Sequence, residues 1–317
     1  MARVAAIDCG TNSIRLLVAD VTATGDGGHW LRDVHREMRV VRLGQGVDAT
    51  GVLAPEALAR TRAALLDYSA ILRRKGTERV RMVATSATRD AANRDEFFAM
   101  TREVLGVEAE VITGDEEARL SFTGAVADQD PDDGPFLVAD VGGGSTELVL
   151  GSWDGTKGAV EAAKSVDIGC VRLTERCLHD DPPTEKQVEE AVEVAKDALG
   201  QAFDVVPVAR ARTWIGVAGT VTTLAALAKD LPAYDPEEIH LTRIPLERVR
   251  ELTGRLIAMT REERAAIGSM HPGRVDVIVG GAIVVRTIAD HLAERAGITE
   301  LVASEHDILD GIAYSLL

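Results

Sequence analysis

Apolar residues along this chain fall into short continuous runs separated by longer stretches with helical spacing. Runs of four to eight apolar residues bounded by turn residues are typical of buried strands. One further strand is expected within residues 30–43. The other predicted strands cover residues 4–7, 14–21, 80–84, 109–112, 136–140, 147–153 and 213–217.

Helical spacing is clearest after Pro55, where apolar residues repeat every seven positions until Lys75 and Gly76. A proline at the start and a glycine at the end are typical of helix termini. Thr184 is the predicted N-cap of a long helix with one apolar face. Further helices are predicted over residues 91–105, from about residue 220, and over the last residues, with Ser304 as the N-cap of the terminal helix.

The order of elements in the first part of the chain is repeated in the second. The acidic, proline-containing segment DQDPDDGP, residues 128–135, lies between the two parts and is the best candidate for a domain boundary. Paired strands followed by alternating helices and strands predict an α/β protein of two similar domains, residues 1–126 and 127–304. The terminal helix, residues 305–317, is expected to pack back on the first domain.

Two glycine-rich turns occupy matching places in the repeat. DCGTNSIRLLV starts at Asp8, and DVGGGSTELVL starts at Asp140, 132 residues later (140 − 8). Glycines let the backbone approach a ligand closely, and successive N–H groups can form an anion-binding nest. Each turn taken alone also fits a local hairpin, but two matched copies favour ligand binding. The predicted phosphate-binding residues in the turns are Gly10, Thr11, Asn12, Ser13, Gly142, Gly143, Gly144 and Ser145.

Composition narrows the classes of function. The net charge of −16 makes the chain a poor nucleic-acid binder, because affinity for polyanions depends on charge neutralisation. No apolar run approaches the ~20 residues of a membrane helix, and no secretory signal precedes Asp8. Three cysteines without CxxC spacing suggest neither disulfides nor a zinc site, so a cytoplasmic location is expected.

The duplicated Asp-x-Gly turn resembles the phosphate loops of the acetate kinase, sugar kinase, heat-shock ATPase and actin superfamily. Within it, VATSATRDAAN (83–93), ITGDEEARLSFTGAV (112–126) and VADVGGGSTELVLG (138–151) resemble the exopolyphosphatase/guanosine pentaphosphate phosphohydrolase family in its short two-domain form. The resemblance is looser through residues 215–227, 270–282 and 304–312. It implies two ribonuclease H-like (actin-like ATPase) domains with an active-site cleft between them.

The resemblance also places the general base in the ITGDEEA stretch, at Glu117. Its implied role is to deprotonate a water that attacks the terminal phosphorus. Thr113 and Glu116 have the T-x-x-E spacing of a capping box, which gives Glu116 a local role and leaves Glu117 free. The alternative is that both glutamates merely complement a helix N-terminus.

The same resemblance implies a Mg²⁺ ion and allows a monovalent cation as well. Asp140 and Glu147 correspond to the family's metal-associated carboxylates, and Asp8 is a further candidate. For Glu147, a solvent-facing strand position is the competing interpretation. Arg89 is the best anion clamp, since a guanidinium binds phosphate oxygens bidentately.

The other candidates have structural alternatives of equal or greater weight. Arg15 and Arg274 fit either anion binding or an ion pair. The pair Gly280-Gly281 fits close helix packing as well as contact with adenosine, and Gly216–Thr220 fits either a tight turn or an anion site. A polyanion track is less favoured than a solvated strand surface for the arginines at positions 32, 36, 39 and 42.

The resemblance implies hydrolysis of terminal phosphate, and we expect inorganic polyphosphate as the substrate, with guanosine pentaphosphate (pppGpp) as the alternative. The motifs do not separate these two substrates, because both present the same triphosphate-like end. More distant alternatives are an ATP-dependent small-molecule kinase and a non-catalytic sensor of polyphosphate or alarmone. No nucleic-acid or membrane partner is expected. An isologous homodimer is the default assembly.

Overall fold

The computed structural model describes residues 2–25 and 29–317. The strands are β1 (Ala2–Cys9), β2 (Ser13–Ala23), β3 (His29–Val40), β4 (Arg79–Ala84), β5 (Glu110–Val111), β6 (Phe136–Val141), β7 (Thr146–Trp153), β8 (Gly158–Val166), β9 (Thr213–Val217), β10 (Thr242–Pro245) and β11 (Glu300–Ala303). The helices are α1 (Val47–Thr50), α2 (Pro55–Lys75), α3 (Ser86–Asp90), α4 (Arg94–Leu105), α5 (Gly114–Val126), α6 (Cys170–Cys177), α7 (Glu185–Val205), α8 (Ala218–Ala228), α9 (Pro236–Ile239), α10 (Leu246–Ala258), α11 (Arg261–Ala265), α12 (Ile278–Ala296) and α13 (Ile308–Tyr314).

The strands form two sheets with the same internal order. The first sheet runs β3-β2-β1-β4-β5, and the second runs β8-β7-β6-β9-β11 with β10 added at the edge. In each sheet three antiparallel strands are followed by parallel ones, because helical crossovers connect the later strands. The predicted duplication of one α/β module is confirmed.

Each sheet is covered by helices on both faces. The outer face of the first sheet packs on α2 and α4, and α7, α8, α10 and α12 cover the second sheet in the same way. On the inner faces, Ile308 and Ile312 of α13 pack on the first sheet, and Phe122 and Ala125 of α5 pack on the second. We call the first sheet with α1–α4 and α13 the first lobe, and the second sheet with α5–α12 the second lobe. The predicted domain limits, 1–126 and 127–304, stay a prediction.

Helices α5 and α13 cross in direct contact between the two sheets. A Cβ atom on Gly124 of α5 would overlap the carbonyl oxygen of Asp307, and one on Gly311 would overlap that of Leu120. Only glycine therefore permits this spacing. The close crossing fixes α5, and the side chains it carries, between the lobes.

Some predicted boundaries differ from the structure. Ser304 as N-cap of the terminal helix is wrong, because β11 ends at Ala303 and a turn must carry the chain back to the first sheet before α13 starts. Asp307 caps the helix instead, accepting from the N–H of Leu309. Thr184 is confirmed as the N-cap of α7.

The predicted helix over residues 91–105 corresponds to α4, which starts at Arg94, and the separate short helix α3 precedes it. Asn93 lies between them and exchanges two hydrogen bonds with the backbone of Leu53, at 2.7 and 3.0 Å. These bonds fix the backbone between α3 and α4.

A membrane-spanning helix is not found in the described part of the chain, because no helix there combines the necessary length and hydropathy.

Candidate active site

The two glycine-rich turns have the same local geometry. The N–H of Gly10 donates to the carbonyl oxygen of Ser13 at 2.9 Å, and that of Gly142 donates to Ser145 at 3.1 Å. Each turn connects the first two strands of its sheet and leaves its intermediate residues at the sheet edge. The sequence repeat is therefore a structural repeat.

The turns face each other across the gap between the lobes. A Cβ atom on Gly143 would lie 2.9 Å from the Cβ of Thr11, and one on Gly144 would lie 2.5 Å from the Oγ of Ser86. Only glycines fit at this distance. The turns enclose a cavity of about 110 Å³, which has both lobes in its walls.

Most of the predicted site residues line this cleft. The predicted residues that line the cleft are Asp8, Gly10, Thr11, Asn12, Ser13, Glu117, Asp140, Gly142, Gly143, Gly144 and Ser145. Arg89 and Glu147 are not in the lining, but each contacts a residue that is: Arg89 bonds Glu117, and Glu147 bonds Ser145.

Glu117 lies in the first turn of α5 and is 7% exposed. Its Oε2 accepts a hydrogen bond from Nη1 of Arg89 at 3.2 Å, and the same Nη1 donates to the carbonyl of Ile112 at 2.8 Å. Burial raises the pKa of Glu117 to about 8, helped by the charges of Asp140 and Asp8 and opposed by Arg89. Arg89 thus binds Glu117 here, and its predicted role as an anion clamp stays a prediction.

The neighbouring Glu116 has a different environment. Its N–H donates to the Oγ1 of Thr113 at 3.2 Å, which is one half of the predicted capping box. Its carboxylate does not complete the box but accepts from Arg81 Nη2 at 2.7 Å, on a side chain that is 45% exposed. Glu116 therefore has a local role at the surface, while Glu117 reaches the cleft.

The acids of the second lobe are buried. Asp140 accepts a hydrogen bond from the hydroxyl of Ser121, which lies one helical turn after Glu117 on α5. Burial, followed by the charge of Asp307, raises the pKa of Asp140 to about 6. Glu147 is 1% exposed and accepts from Ser165 at 2.6 Å, so the solvent-facing alternative is excluded. Burial and the charges of Glu117 and Asp140 raise the pKa of Glu147 strongly.

The strand register reveals one asymmetry in the duplicated hairpins. Asp8 lies opposite Arg15, and Asp140 lies opposite Glu147, at the same offset of 132 residues (140 − 8 and 147 − 15). Arg15 donates to Asp8 Oδ2 from Nε at 3.0 Å and from Nη2 at 2.7 Å, and it also pairs with Asp307. One hairpin thus neutralises its acid, whereas the other places two acids together.

The acids of the cleft fit a hydrated divalent cation. Asp8 Oδ1 is buried and has no hydrogen-bond partner among the described residues, which suits an oxygen that binds a cation. In the described part of the chain, the cleft has no group of three His, Cys, Asp or Glu side chains whose ligand atoms all lie within 4.8 Å of one another. Mg²⁺ is commonly held by one or two carboxylates together with water and substrate phosphates, so a site with few protein ligands is compatible with it.

A second group of titratable side chains consists of Asp128, His240 and His306. Its possible ligand atoms lie within 4.8 Å of one another, but it lies away from the cleft lining. The N–H of Glu305 donates to His240 Nδ1 at 3.3 Å, which assigns the proton of neutral His240 to Nε2, facing Asp128. Although burial lowers it, the hydrogen bond with Asp128 raises the pKa of His306 to about 9. Both imidazoles thus contact the carboxylate of Asp128.

The start of α8 forms the opposite wall of the cleft. Ala218 has a positive φ of 69°, a strained conformation for a residue with a Cβ, and lines the cavity together with Gly219 and Thr220. Arg274 also lines it and donates to Thr223 Oγ1 at 3.1 Å, with its guanidinium 5.5 Å from the centre of the Tyr234 ring.

Arg274 is the better anion candidate of the two arginines in the lining. Among the described residues it forms no ion pair, whereas Arg15 is neutralised by two acids. The arginine run in β3 and after it is also neutralised, which argues against a polyanion track. Its ion pairs are Arg32–Asp20, Arg36–Asp33, Arg36–Asp310, Arg39–Glu37, Arg39–Asp67 and Arg42–Asp276.

The pair Gly280-Gly281 packs tightly within the second lobe. A Cβ on Gly280 would lie 2.6 Å from the carbonyl oxygen of Cys170, at the start of α6, and one on Gly281 would overlap the side chain of Thr220. Close packing of α12 on α6 and α8 thus accounts for both glycines.

The family profile described as the Ppx/GppA phosphatase family matches residues 18–316. The chain belongs to this family. It is 60% identical over 321 residues to a protein named exopolyphosphatase 2 from Mycobacterium tuberculosis (strain H37Rv), covering 100% of this chain and 99% of that protein. It is 31% identical to the guanosine-5'-triphosphate,3'-diphosphate pyrophosphatase of Aeromonas salmonicida (strain A449), covering 99% of this chain and 59% of that protein.

Solved Ppx/GppA structures have the same fold. The Aquifex aeolicus enzyme of the family superimposes with a TM-score of 0.79 at 32% identity, covering 99% of both chains. An exopolyphosphatase from Cytophaga hutchinsonii superimposes with a TM-score of 0.86 at 27% identity, covering 99% of this chain and 97% of that one. The expected family and its two-domain actin-like ATPase fold are confirmed.

Two polar residues that bind side chains of the cleft, Ser121 and Asp307, were not predicted from the sequence. Ser121 lies four residues after Glu117, so helical spacing was a signal that could have found it. Asp307 reaches Arg15 from 292 positions away. Nothing local in the sequence links Asp307 to Arg15.

Proposed function

We propose that this protein is an exopolyphosphatase, which hydrolyses the terminal phosphoanhydride bond of inorganic polyphosphate. The observation that carries the proposal is the cleft, where two phosphate-loop turns face each other beside the buried carboxylate of Glu117. The 60% identity to a protein named exopolyphosphatase 2 supports the choice of substrate.

In the proposed reaction Glu117 orients a water molecule in line with the terminal phosphorus and accepts its proton. The bond between the water oxygen and phosphorus forms, and the bond from phosphorus to the bridging oxygen breaks. The products are inorganic phosphate and a chain shorter by one phosphate. The raised pKa of Glu117 makes the carboxylate a stronger base than an exposed glutamate.

The backbone N–H groups of the two turns hold the terminal phosphate from both lobes. Arg274 and the N-terminal turn of α8, on the opposite wall, bind the phosphates that follow along the chain. Thr220 lies within that turn and lines the cleft. These contacts fix the reacting phosphorus relative to Glu117.

Enzymes of the Ppx/GppA family generally depend on divalent metal ions. In this protein Asp8 and Asp140 would hold Mg²⁺, with Glu147 behind them. When bound, Mg²⁺ neutralises the charge on the phosphate oxygens and on the leaving chain. Ser121 and Ser165 orient Asp140 and Glu147 by hydrogen bonds.

A second candidate substrate, guanosine pentaphosphate, is favoured by one feature. A cavity of about 270 Å³ adjoins the cleft and shares Met38 and Arg274 with it. Tyr234 and Met270 also line this cavity, and aromatic and thioether groups are suited to contact with a nucleobase.

The test is phosphate release from triphosphate, long-chain polyphosphate and guanosine pentaphosphate, measured side by side with Mg²⁺. We expect both polyphosphates to be hydrolysed faster than the nucleotide. Preference for the nucleotide would overturn the choice of substrate in favour of the second candidate. Acceptor-dependent formation of ADP from ATP would instead indicate a kinase, and tight binding of polyphosphate without phosphate release would indicate a sensor.

A further inference from the structure

Asp307 belongs to the segment that returns the chain from the second sheet to α13. It is 3% exposed. Its Oδ1 accepts from the N–H of Leu309 at 3.0 Å, and its own N–H donates to Asp310 Oδ2 at 3.0 Å. One carboxylate oxygen of Asp307 therefore caps the helix, which leaves the second oxygen for another partner.

That partner is Arg15, which lines the cleft. Nη1 of Arg15 binds Asp307 Oδ2, while its Nε and Nη2 both bind Asp8 Oδ2. The guanidinium thus bridges two acids that lie 299 positions apart in the sequence (307 − 8), and it is fixed at both ends.

This arrangement differs from the usual arginine–carboxylate pair, in which two N–H groups bind both oxygens of one carboxylate. Here Arg15 occupies only Oδ2 of Asp8, and Oδ1 stays buried and without a hydrogen-bond partner among the described residues. Because Nη1 is held by Asp307, Arg15 cannot rotate to bind both oxygens of Asp8. The bond to Asp307 also keeps Arg15 from moving towards Asp140. The charge of Arg15 already stabilises the ionised form of Asp140.

We propose that Asp307 is a positioning residue, which holds Arg15 on one oxygen of Asp8 and keeps the other oxygen open to Mg²⁺. This inference rests on the proposed function. Without Asp307, Arg15 takes the free oxygen of Asp8 or neutralises Asp140, and the metal loses a ligand.

The test uses Asp307→Asn in the full chain. Asparagine is as good an N-cap as aspartate, so the start of α13 keeps its acceptor, whereas the charge that holds Arg15 is removed. The matched control is Asp20→Asn. Asp20 is 2% exposed and is also held by two arginines, Arg3 and Arg32, but it is not part of the cleft lining.

Two quantities are measured for each variant. The first is binding of Mn²⁺ to the substrate-free protein, followed by electron paramagnetic resonance of the free ion. The second is phosphate release as a function of Mg²⁺ and polyphosphate concentration. For Asp307→Asn we expect metal affinity to fall by about 10- to 100-fold, as is typical when a residue behind a metal ligand is removed. The Mg²⁺ concentration for half-maximal activity rises by a similar factor, and KM for polyphosphate at saturating Mg²⁺ changes less than about threefold.

A double-mutant cycle with Arg15→Gln separates positioning from general damage. If Asp307 acts through Arg15, its replacement has little further effect on Mn²⁺ binding in the Arg15→Gln background. An equal loss in both backgrounds, or a loss no greater than that of Asp20→Asn, overturns the inference. Should Asp307→Asn fail to fold by circular dichroism, Asp307→Ser keeps a capping oxygen and is judged by the same criteria.

Failure of the proposed function gives a different result. In that case the wild-type protein releases no phosphate from polyphosphate, while the Mn²⁺ measurements still decide whether Asp307 controls the metal site.

Discussion

Replacing Glu117 with glutamine has two opposite consequences. Glutamine cannot accept a proton from water, so we expect phosphate release to fall by about 10²- to 10⁴-fold. The same change removes a buried carboxylic acid whose ionisation is unfavourable in the folded protein. We therefore expect the inactive variant to be the more stable one at alkaline pH in the absence of metal.

The size of the effect follows from the pKa of Glu117, which rises from 4.5 to about 8 on folding. At pH values below 4.5 the residue is protonated in both states and has no effect. Between 4.5 and 8 the unfolded chain loses this proton and the folded protein keeps it, so the free energy of unfolding falls by about 1.4 kcal/mol per pH unit. Over about 3.5 pH units (8 − 4.5) the upper limit is about 5 kcal/mol.

The stability that Glu117→Gln gains relative to wild type between pH 5 and pH 8.5 is expected to be smaller than this limit, because Asp140 and Glu147 share the same repulsion. We expect a gain of at least about 1 kcal/mol. Glutamine also keeps an oxygen that can accept the hydrogen bond from Arg89. The hydrogen bond that Glu117 makes in the folded protein is therefore largely preserved.

The assay is urea denaturation of both proteins at pH 5, 7 and 8.5 with a chelator present. The matched control is Glu116→Gln, the same substitution on the adjacent residue, whose side chain is 45% exposed and pairs with Arg81. We expect the control to remain active and to show no such pH-dependent gain. If the stability of Glu117→Gln relative to wild type is the same at pH 5 and pH 8.5, the assignment of a buried, raised-pKa acid to this position is refuted.

Three further predictions concern packing, strain and anion binding. Gly124→Ala places a methyl group on the carbonyl of Asp307, so we expect a loss of about 1–3 kcal/mol or more in the free energy of unfolding, together with a lower kcat. The control is Gly200→Ala, whose new Cβ meets no atom within 4 Å beyond the adjacent backbone of its own helix and which stabilises α7 by about 0.5–1 kcal/mol. Ala218→Gly relieves the strain of the positive φ, and a gain of about 0.5–1 kcal/mol in the same assay is expected; a loss would show that the methyl group packs favourably. Arg274→Ala removes a charge-assisted contact, so KM for polyphosphate rises by about tenfold or more with a smaller change in kcat, and an unchanged KM would exclude Arg274 from phosphate binding.

Much of the site could be read from short stretches of sequence, because its parts are local. A strand, a tight turn and a second strand bring Asp8 and the following glycines into one hairpin, and the same pattern recurs at Asp140. The capping pattern at Thr113 indicated the start of α5. It also separated Glu116 from Glu117, although the reciprocal half of the box is replaced by an ion pair with Arg81.

Other features depend on residues that are distant in the chain. The raised pKa of Glu147 follows from its burial and from the charges of Glu117 and Asp140, and nothing in its strand distinguishes it from a solvent-facing residue. The partners of the arginine run came from both lobes, since Arg36 pairs with Asp310 and Arg42 with Asp276. Such ion pairs depend on the relative position of the two lobes in the folded protein.

By itself, the sequence determined the duplicated α/β hairpins, the two phosphate-type turns and the family, because each depends on residues within a few positions of one another. Only the tertiary structure decided that Arg15 is bound by Asp307, that Glu117 is bound by Arg89, and that α5 lies against α13 at two glycines. These contacts join separate elements of the chain, up to 292 positions apart for Arg15 and Asp307. They depend on the packing of two sheets around a pair of crossing helices, which no local pattern specifies.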